Sequence, residues 1–396
     1  MDPITHSLAG AALSRAGYHR ATPLATATLV LAANAPDIDI LTSLGGPYAT
    51  LAHRRGWTHG PLALFLLPFA VAGGVLLYDR WIRRRSNPAA PPAHAVPLVL
   101  LAVLGVATHP LLDWMNNYGV RLLMPFSGRW YYGDALFIVD PWVWLMLGAA
   151  VFLARRAAVP KREMVGWGAF TCLASLLVLA GPVPVVAKGG WVVGVVAILA
   201  TRIRGSAGGS ERAARWGLGA AVLYITLMVV ASRAAAGEVR RALEGAGVGE
   251  VREVMVAPEP ANPFRGSVVA STASAYHLGT FQWLGRPRFV QSESIPTPRA
   301  SAVTEAAAAT PEGERYLTWS RFPFFEVREV SGGGYVVRIR DARYADVHRA
   351  GGLSGVTVRL DRELRAVPRG AAPERAAPAP PPATRSSPPG GSGGGA

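Results

Sequence analysis

Along the chain, apolar runs about a membrane span long alternate with short, arginine-bearing connections. Gly60–Leu77, Ala95–Leu112, Ala135–Ala154, Val165–Ala187 and Trp216–Ser232 are interrupted only by His109 in the second and Asp140 in the third. Runs of roughly 17–25 such residues predict transmembrane helices. Gly189–Thr201 is shorter and follows Lys188, so the pattern leaves open whether it crosses. Ile4–Ala16 and Pro23–Ala35 predict two short helices joined by Gly17-Tyr18-His19-Arg20, a re-entrant or interfacial hairpin. From about residue 250 the pattern changes to short β-rich runs: Glu253–Val256, Ala275–Leu284, Arg315–Trp319, Pro323–Val330, Tyr335–Arg340 and Gly355–Leu360. Gly332-Gly333-Gly334 separates two of these as a hairpin turn does. Residues 367–396 are Pro, Ala, Gly, Ser and Arg in low complexity, which predicts a disordered tail. The expected fold is mainly α: a polytopic transmembrane helical bundle over residues 1–241, a small β-rich extramembrane domain over 242–366, and the tail.

Composition supports the membrane reading. Hydrophobic residues make up 51% and charged residues 16% of the 396, against about 25% charged in soluble globular chains. The net charge is +15, carried unevenly: residues 1–241 hold 22 Lys+Arg against 10 Asp+Glu, and the remainder 18 against 15. The surplus therefore belongs to loops beside apolar runs, which argues against nucleic acid as its partner. Four clusters, Arg15/Arg20, Arg80/Arg83/Arg84/Arg85, Arg155/Arg156/Lys161/Arg162 and Arg202/Arg204/Arg212/Arg215, fall on one side if Gly189–Thr201 crosses. The positive-inside rule makes that side cytoplasmic. The start of the chain, with Asp2 and His6 and no basic leader, does not read as a signal peptide. The single cysteine, Cys172, excludes an intramolecular disulfide and a Cys-based zinc site.

Histidine is concentrated early, with six of eight at or before position 109. Four stand beside acidic or polar groups: Thr5-His6 opening the first helix, His53-Arg54-Arg55-Gly56-Trp57-Thr58-His59 before the span at Gly60, and His109-Pro110-Leu111-Leu112-Asp113; Pro36-Asp37-Ile38-Asp39 closes the second helix. His109 and Asp113 are i and i+4, one helix face and one turn apart, and Pro110 predicts a kink and restart. Tracing the spans puts His6, Asp37, Asp39, His59, His109 and Asp113 at the bundle end opposite the arginine clusters, with Asp140 nearby. Ionisable groups near membrane depth are costly and point to function. Imidazoles and carboxylates together suit zinc or a comparable first-row ion, one or more. Arg54 and Arg55, with His53, are candidates for binding an anionic substrate such as a phosphate.

These motifs, with Gly10, Gly119 and Pro125-Phe126, resemble the YdjM-like family, bacterial and archaeal inner-membrane proteins described as metal-dependent hydrolases. The resemblance covers residues 1–155 most closely. Arg321-Phe322-Pro323-Phe324 and Asp341-Ala342-Arg343-Tyr344 look like the C-terminal part of longer members. A departure is Gly60, where Ser commonly follows the Thr-His pair. The His-x-x-x-Asp pair is more weakly similar to that of zinc-dependent phospholipase C and P1-type nucleases.

The expected function is a membrane-embedded metal hydrolase acting on an ester or phosphoester, with a lipid as one candidate substrate. His6, Asp37, Asp39, His59, His109 and Asp113 are the expected metal ligands, and Asp37 or Asp39 the catalytic base. Membrane lipids are the expected surroundings, and the metal site is expected on the non-cytoplasmic face of the cell membrane. The alternatives are an ion-handling transporter using the same cluster and a membrane scaffold with a structural site.

Overall fold

The computed structural model describes residues 1–154, 161–204, 211–330, 333–345 and 352–367. The expected tail, apart from residue 367, lies outside the described residues, as do Arg155 and Arg156 of one basic cluster. Helix α1 (Pro3–Arg15) starts where Asp2 accepts the amides of Ile4 and Thr5, both at 3.0 Å, and Pro3 occupies the first turn. These are N-terminal capping features. Helix α2 (Ala25–Asn34) returns beside it.

The approach is close because the facing residues are small. A Cβ on Gly10 would meet Leu29 O at 2.6 Å, and one on Gly105 would meet Ala32 Cβ at the same distance. Small residues let helix backbones approach closely in membrane bundles. Ala12, Leu29 and Ala32 are wholly buried. The hairpin is therefore packed into the bundle, not laid across its end as the interfacial alternative would have it.

A 3₁₀ stretch, Ala35–Gly45, leads to the short helix α3 (Pro47–His53). Helix α4 (Pro61–Tyr78) runs through a π turn, Asp79–Arg83, into α5 (Arg84–Ser86). Helix α6 (Ala95–Trp114) is continuous through Pro110, so the expected restart there is not found. Helix α7 (Pro141–Leu153) begins only after Asp140, whose carboxylate accepts the amides of Trp142 and Val143 and the hydroxyl of Tyr224. The apolar residues 135–139 before it are irregular.

The next apolar run divides differently from the expectation. Helix α8 (Lys161–Ala180) stops at Gly181, and α9 (Val185–Ile203) takes in Lys188 and the segment left open. Pro182 and Pro184 flank the break, and proline both lacks an amide donor and disfavours helix in the residue before it. Helix α10 (Glu211–Gly245) follows. Among the described residues, five helical stretches are long and apolar enough to cross a membrane: Pro61–Ser86, Ala95–Trp114, Glu163–Ala180, Val185–Ile203 and Glu211–Gly245.

After α10 come two antiparallel sheets. The first pairs β1 (Glu253–Glu259), β2 (Asn262–Ser271), β3 (Ala275–Gln282) and β4 (Phe289–Pro296) in sequence order. The second pairs β5 (Pro323–Val330), β6 (Gly334–Asp341) and β7 (Val356–Leu360). Between them lie α11 (Ala302–Ala308) and α12 (Pro311–Trp319). Arg315–Trp319, expected as a strand, lies within α12. Thr310 caps that helix, Pro311 occupies its first turn with Glu312 and Glu314, and buried Gly313, Tyr316 and Trp319 recur at helical spacing.

Both ends of the bundle are defined by contacts. At one, Arg20 pairs with Glu211 at 2.7 Å and Arg215 donates to Ala16 O at 2.9 Å. At the other, the last turns of α10 pack on the first sheet through Val239 and Leu243, and residues flanking the second sheet meet the 115–140 connection. Arg321 pairs with Asp134 at 2.9 Å, Arg343 donates to Asn117 O at 2.7 Å, and Trp130 Nε1 donates to Thr318 O at 2.7 Å. The sheets thus sit at the end where the early His and Asp residues gather.

Candidate metal centre

Four elements deliver the cluster. The capped start of α1 brings His6, and the 3₁₀ stretch after α2 brings Asp37 and Asp39. A 3₁₀ turn, Trp57–His59, brings His59 at the mouth of α4, and the last turns of α6 bring His109 and Asp113. His6, His59, His109 and Asp113 are 0% exposed. Four such groups out of water need mutual partners or an ion.

Asp113 is the focus. Nε2 of His59, His6 and His109 lie 3.2, 3.4 and 3.6 Å from its two carboxylate oxygens. Arg55 Nε is 2.9 Å from Oδ2, and the Met1 ammonium contacts Oδ1. His109 Nε2 is also 3.8 Å from Asp37 Oδ1. The rings of His6 and His109 stack with centroids 3.7 Å apart, and His59 meets His109 edge-on.

The surrounding hydrogen bonds orient two of the imidazoles. His109 Nδ1 is 2.6 Å from Ala33 O, which can only accept, so Nδ1 carries the proton. Thr58 Oγ1 donates to Asp39 Oδ2 at 3.2 Å, which leaves its lone pairs to accept from His59 Nδ1 at 2.9 Å. In the neutral form, His59 and His109 therefore both aim an Nε2 lone pair at carboxylate oxygens. Acceptor facing acceptor is repulsive unless a cation lies between them. Among the described residues, neither ring nitrogen of His6, nor Nε2 of His109, has a hydrogen-bond partner. An Nδ1–H held by a carbonyl or hydroxyl, with Nε2 free, is how metal-binding histidines are oriented. The donors fall into two groups sharing His109: His6, His109 and Asp113, and Asp37, His59 and His109, each with ligand atoms within 4.8 Å of one another. These buried groups could hold a metal ion.

Asp39 is tied differently from Asp37. It accepts the backbone amide of Arg55 at 2.7 Å as well as Thr58, and its nearest imidazole contact is His59 Nδ1 at 3.6 Å. Arg54 spans the two acids, 2.8 Å from Asp37 and 3.3 Å from Asp39. Arg54 and Asp37 form the exposed edge of the cluster, with side chains 27% and 15% exposed. Arg55 is buried, pairing with Asp113 and donating to Asn116 Oδ1 at 2.9 Å and Gly119 O at 3.3 Å. His53, grouped with these arginines in the sequence, is exposed at the end of α3. Asp140 caps α7 and is not part of the cluster.

Several neighbours carried no signal in the motifs. Thr58, between Trp57 and His59, has no charge or metal-binding chemistry of its own. Asn116 and the Tyr118 ring, whose centroid lies 4.7 Å from the Arg55 guanidinium, hold Arg55 from a connection with no pattern of its own. Burial pushes the Tyr118 phenol up to about 12, so the ring meets Arg55 in its neutral form. Arg121 donates to Ala52 O at 2.6 Å and fixes the turn before His59. Gly60 is explained by the same connection. A Cβ there would collide with Met124 O, so the serine that the resemblance leads one to expect does not fit.

Residues 1–185 match the family model described as YdjM inner membrane protein. The YdjM match contains every residue of the cluster and stops before α10 and the sheets. An inner-membrane family agrees with the five apolar helices. An uncharacterized protein of Bacillus subtilis (strain 168), YfhP, is 29% identical over 160 residues, 38% of this chain. The match spans 45% of that relative's length. No solved structure matches the chain.

Proposed function

We propose that the chain is a membrane-embedded, metal-dependent hydrolase of an ester or phosphoester. The observation that carries this reading is the convergence of three buried imidazole Nε2 atoms on the Asp113 carboxylate, with the His59 and His109 tautomers set so that lone pairs point inward. His6, His59, His109 and Asp113 hold the ion, and Asp37 stands where it can complete a second group of donors. Nitrogen and carboxylate oxygen donors without thiolate suit zinc among the available divalent ions. A divalent ion bound there supplies Lewis acidity to the reaction.

The remaining roles fall to the chain's own groups. Asp37, at the exposed edge, takes the proton of the attacking water. Asp39 holds Thr58 and through it the His59 ring. Arg55 balances the buried charge of Asp113. Arg54, half-exposed beside Asp37, receives the anionic oxygen of the substrate; exposed His53 stands outside this set. A non-cytoplasmic site is the reading that the arginine clusters at the opposite end support.

The test uses the purified full-length protein and bis(p-nitrophenyl) phosphate. Chelation should abolish turnover and zinc should restore it. Asp37→Asn should lower the rate about 10²–10⁴-fold, the range for loss of a general base. Turnover indifferent to both chelation and Asp37→Asn contradicts the proposal.

A further inference from the structure

The cluster is closed on most sides. On the side of the sheets, the Tyr118 ring covers Arg55, Trp319 lies against Tyr118 with ring centroids 5.3 Å apart, and Arg343 is 4.3 Å from the Trp319 ring. Trp319 and the Arg343 side chain are fully buried. Within the bundle, His6, His59, His109 and Asp113 are sealed by packed helices. The cluster reaches the surface at Asp37 and Arg54, along the 3₁₀ stretch Ala35–Gly45.

That stretch has two chemically opposite faces. Asp37 and Asp39 turn to Arg54 and the cluster, whereas Ile40, Leu41 and Leu44 are exposed, Leu44 at 88%. The exposed apolar rim is not confined to it. Trp57, on the turn before α4, is 58% exposed, and Leu123 and Phe126, beside the Gly60–Met124 contact, are also exposed. None of these six residues belongs to a spanning helix, so facing lipid as part of a span does not account for them. They ring the mouth of α4, and the rim continues into that helix's exposed face through Leu62 and Phe65. An exposed apolar patch of this kind marks an interaction surface, and one continuous with a lipid-facing helix, with an aromatic at its edge, lies at the level of the bilayer interface.

We infer that the metal cluster opens sideways onto the bilayer and that its substrate is a phospholipid, whose chains cross the rim at Leu41, Leu44 and Trp57 while the phosphate reaches Arg54. The substrate half of the inference rests on the hydrolase reading; immersion of the rim does not. Hydrolysis consumes one water and cleaves one phosphate–oxygen ester bond, with no other reactant.

The experiment reconstitutes the full chain in phosphatidylcholine–phosphatidylglycerol vesicles. In a Cys172→Ser background, nitroxide labels are placed at Leu44→Cys and, for contrast, at Ser294→Cys on exposed β4. Collision with oxygen and with a water-soluble nickel complex is then measured. Position 44 should be open to oxygen and shielded from nickel, and position 294 the reverse. Nickel access at 44 equal to that at 294 overturns the inference whatever the activity. In the same vesicles, Leu41→Glu/Leu44→Glu should lower the ratio of phospholipid to bis(p-nitrophenyl) phosphate hydrolysis at least tenfold. An unchanged ratio overturns the inference. Wild-type hydrolysis of the soluble diester alone removes the lipid substrate and leaves the hydrolase reading standing. Failure on both substrates removes the hydrolase reading and the substrate half with it.

Discussion

Thr58 shows how much of the site depends on a residue without charge or metal-binding chemistry. Its single hydroxyl proton goes to Asp39, and its lone pair receives the His59 Nδ1 proton. Thr58→Val keeps the shape and removes both bonds. Loss of such a ring-orienting partner typically weakens metal binding by about 10–100-fold. Zinc titration of the variant should show a loss in that range, with His59 and the remaining ligands intact. His6, Asp37, Asp39, His59, His109 and Asp113 were legible because rare ionisable residues recur at the same ends of successive apolar runs. Thr58, Asn116 and Tyr118 were not, because common polar and aromatic residues acquire their roles only when the 115–140 connection folds back over Arg55. Arg54 and Arg55 were singled out as a pair, yet the fold gives them different surroundings, one at the edge and one buried on Asp113.

At the scale of elements, the buried pair Asp341–Arg343 fastens the second sheet to the bundle. Arg343 is 2.9 Å from Asp341, and it also donates to Asn117 O and Trp319 O. Burial raises the Asp341 carboxyl, but Arg343, with Ser320 and the Arg343 amide, outweighs it and holds the group below its ordinary value. A depressed carboxylate stabilises the fold above its unfolded value, about 3.9, and that contribution is lost as pH falls through the lower folded value. Asp341→Asn leaves Arg343 buried without its counter-charge, which costs about 3–5 kcal/mol, and it removes the acid-dependent loss. Unfolding of the full chain followed by tryptophan fluorescence should show both effects: lower stability at neutral pH and a flatter decline below about pH 4. The β5–β6 pairing is readable from alternation and glycine, whereas Arg315–Trp319, within α12, has a strand-like pattern. Tyr316, Leu317 and Trp319 have strand-like composition, and the helical reading rests on the cap at Thr310 and the acidic first turn. β2 and β4 escaped because their polar and small residues break the alternation, β4 being exposed along most of its length.

For the whole molecule, the apolar periodicity and the arginine distribution already arranged the helices, because crossing a bilayer constrains length and charge more tightly than a soluble core does. They left α9 undecided, since Lys188 near its start and three glycines obscure a full-length helix. The end of α10 packs on the first sheet, and the sheet region meets the cluster's end of the bundle through Arg321, Arg343 and Trp130. The central claim is that the buried His/Asp cluster at this end holds a metal. Metal content per chain, measured on the purified protein beside a folded His109→Ala/Asp113→Ala variant, tests it most directly. The account predicts stoichiometric zinc or a comparable divalent ion in the wild type and its loss in the variant; equal, near-zero metal in both contradicts it.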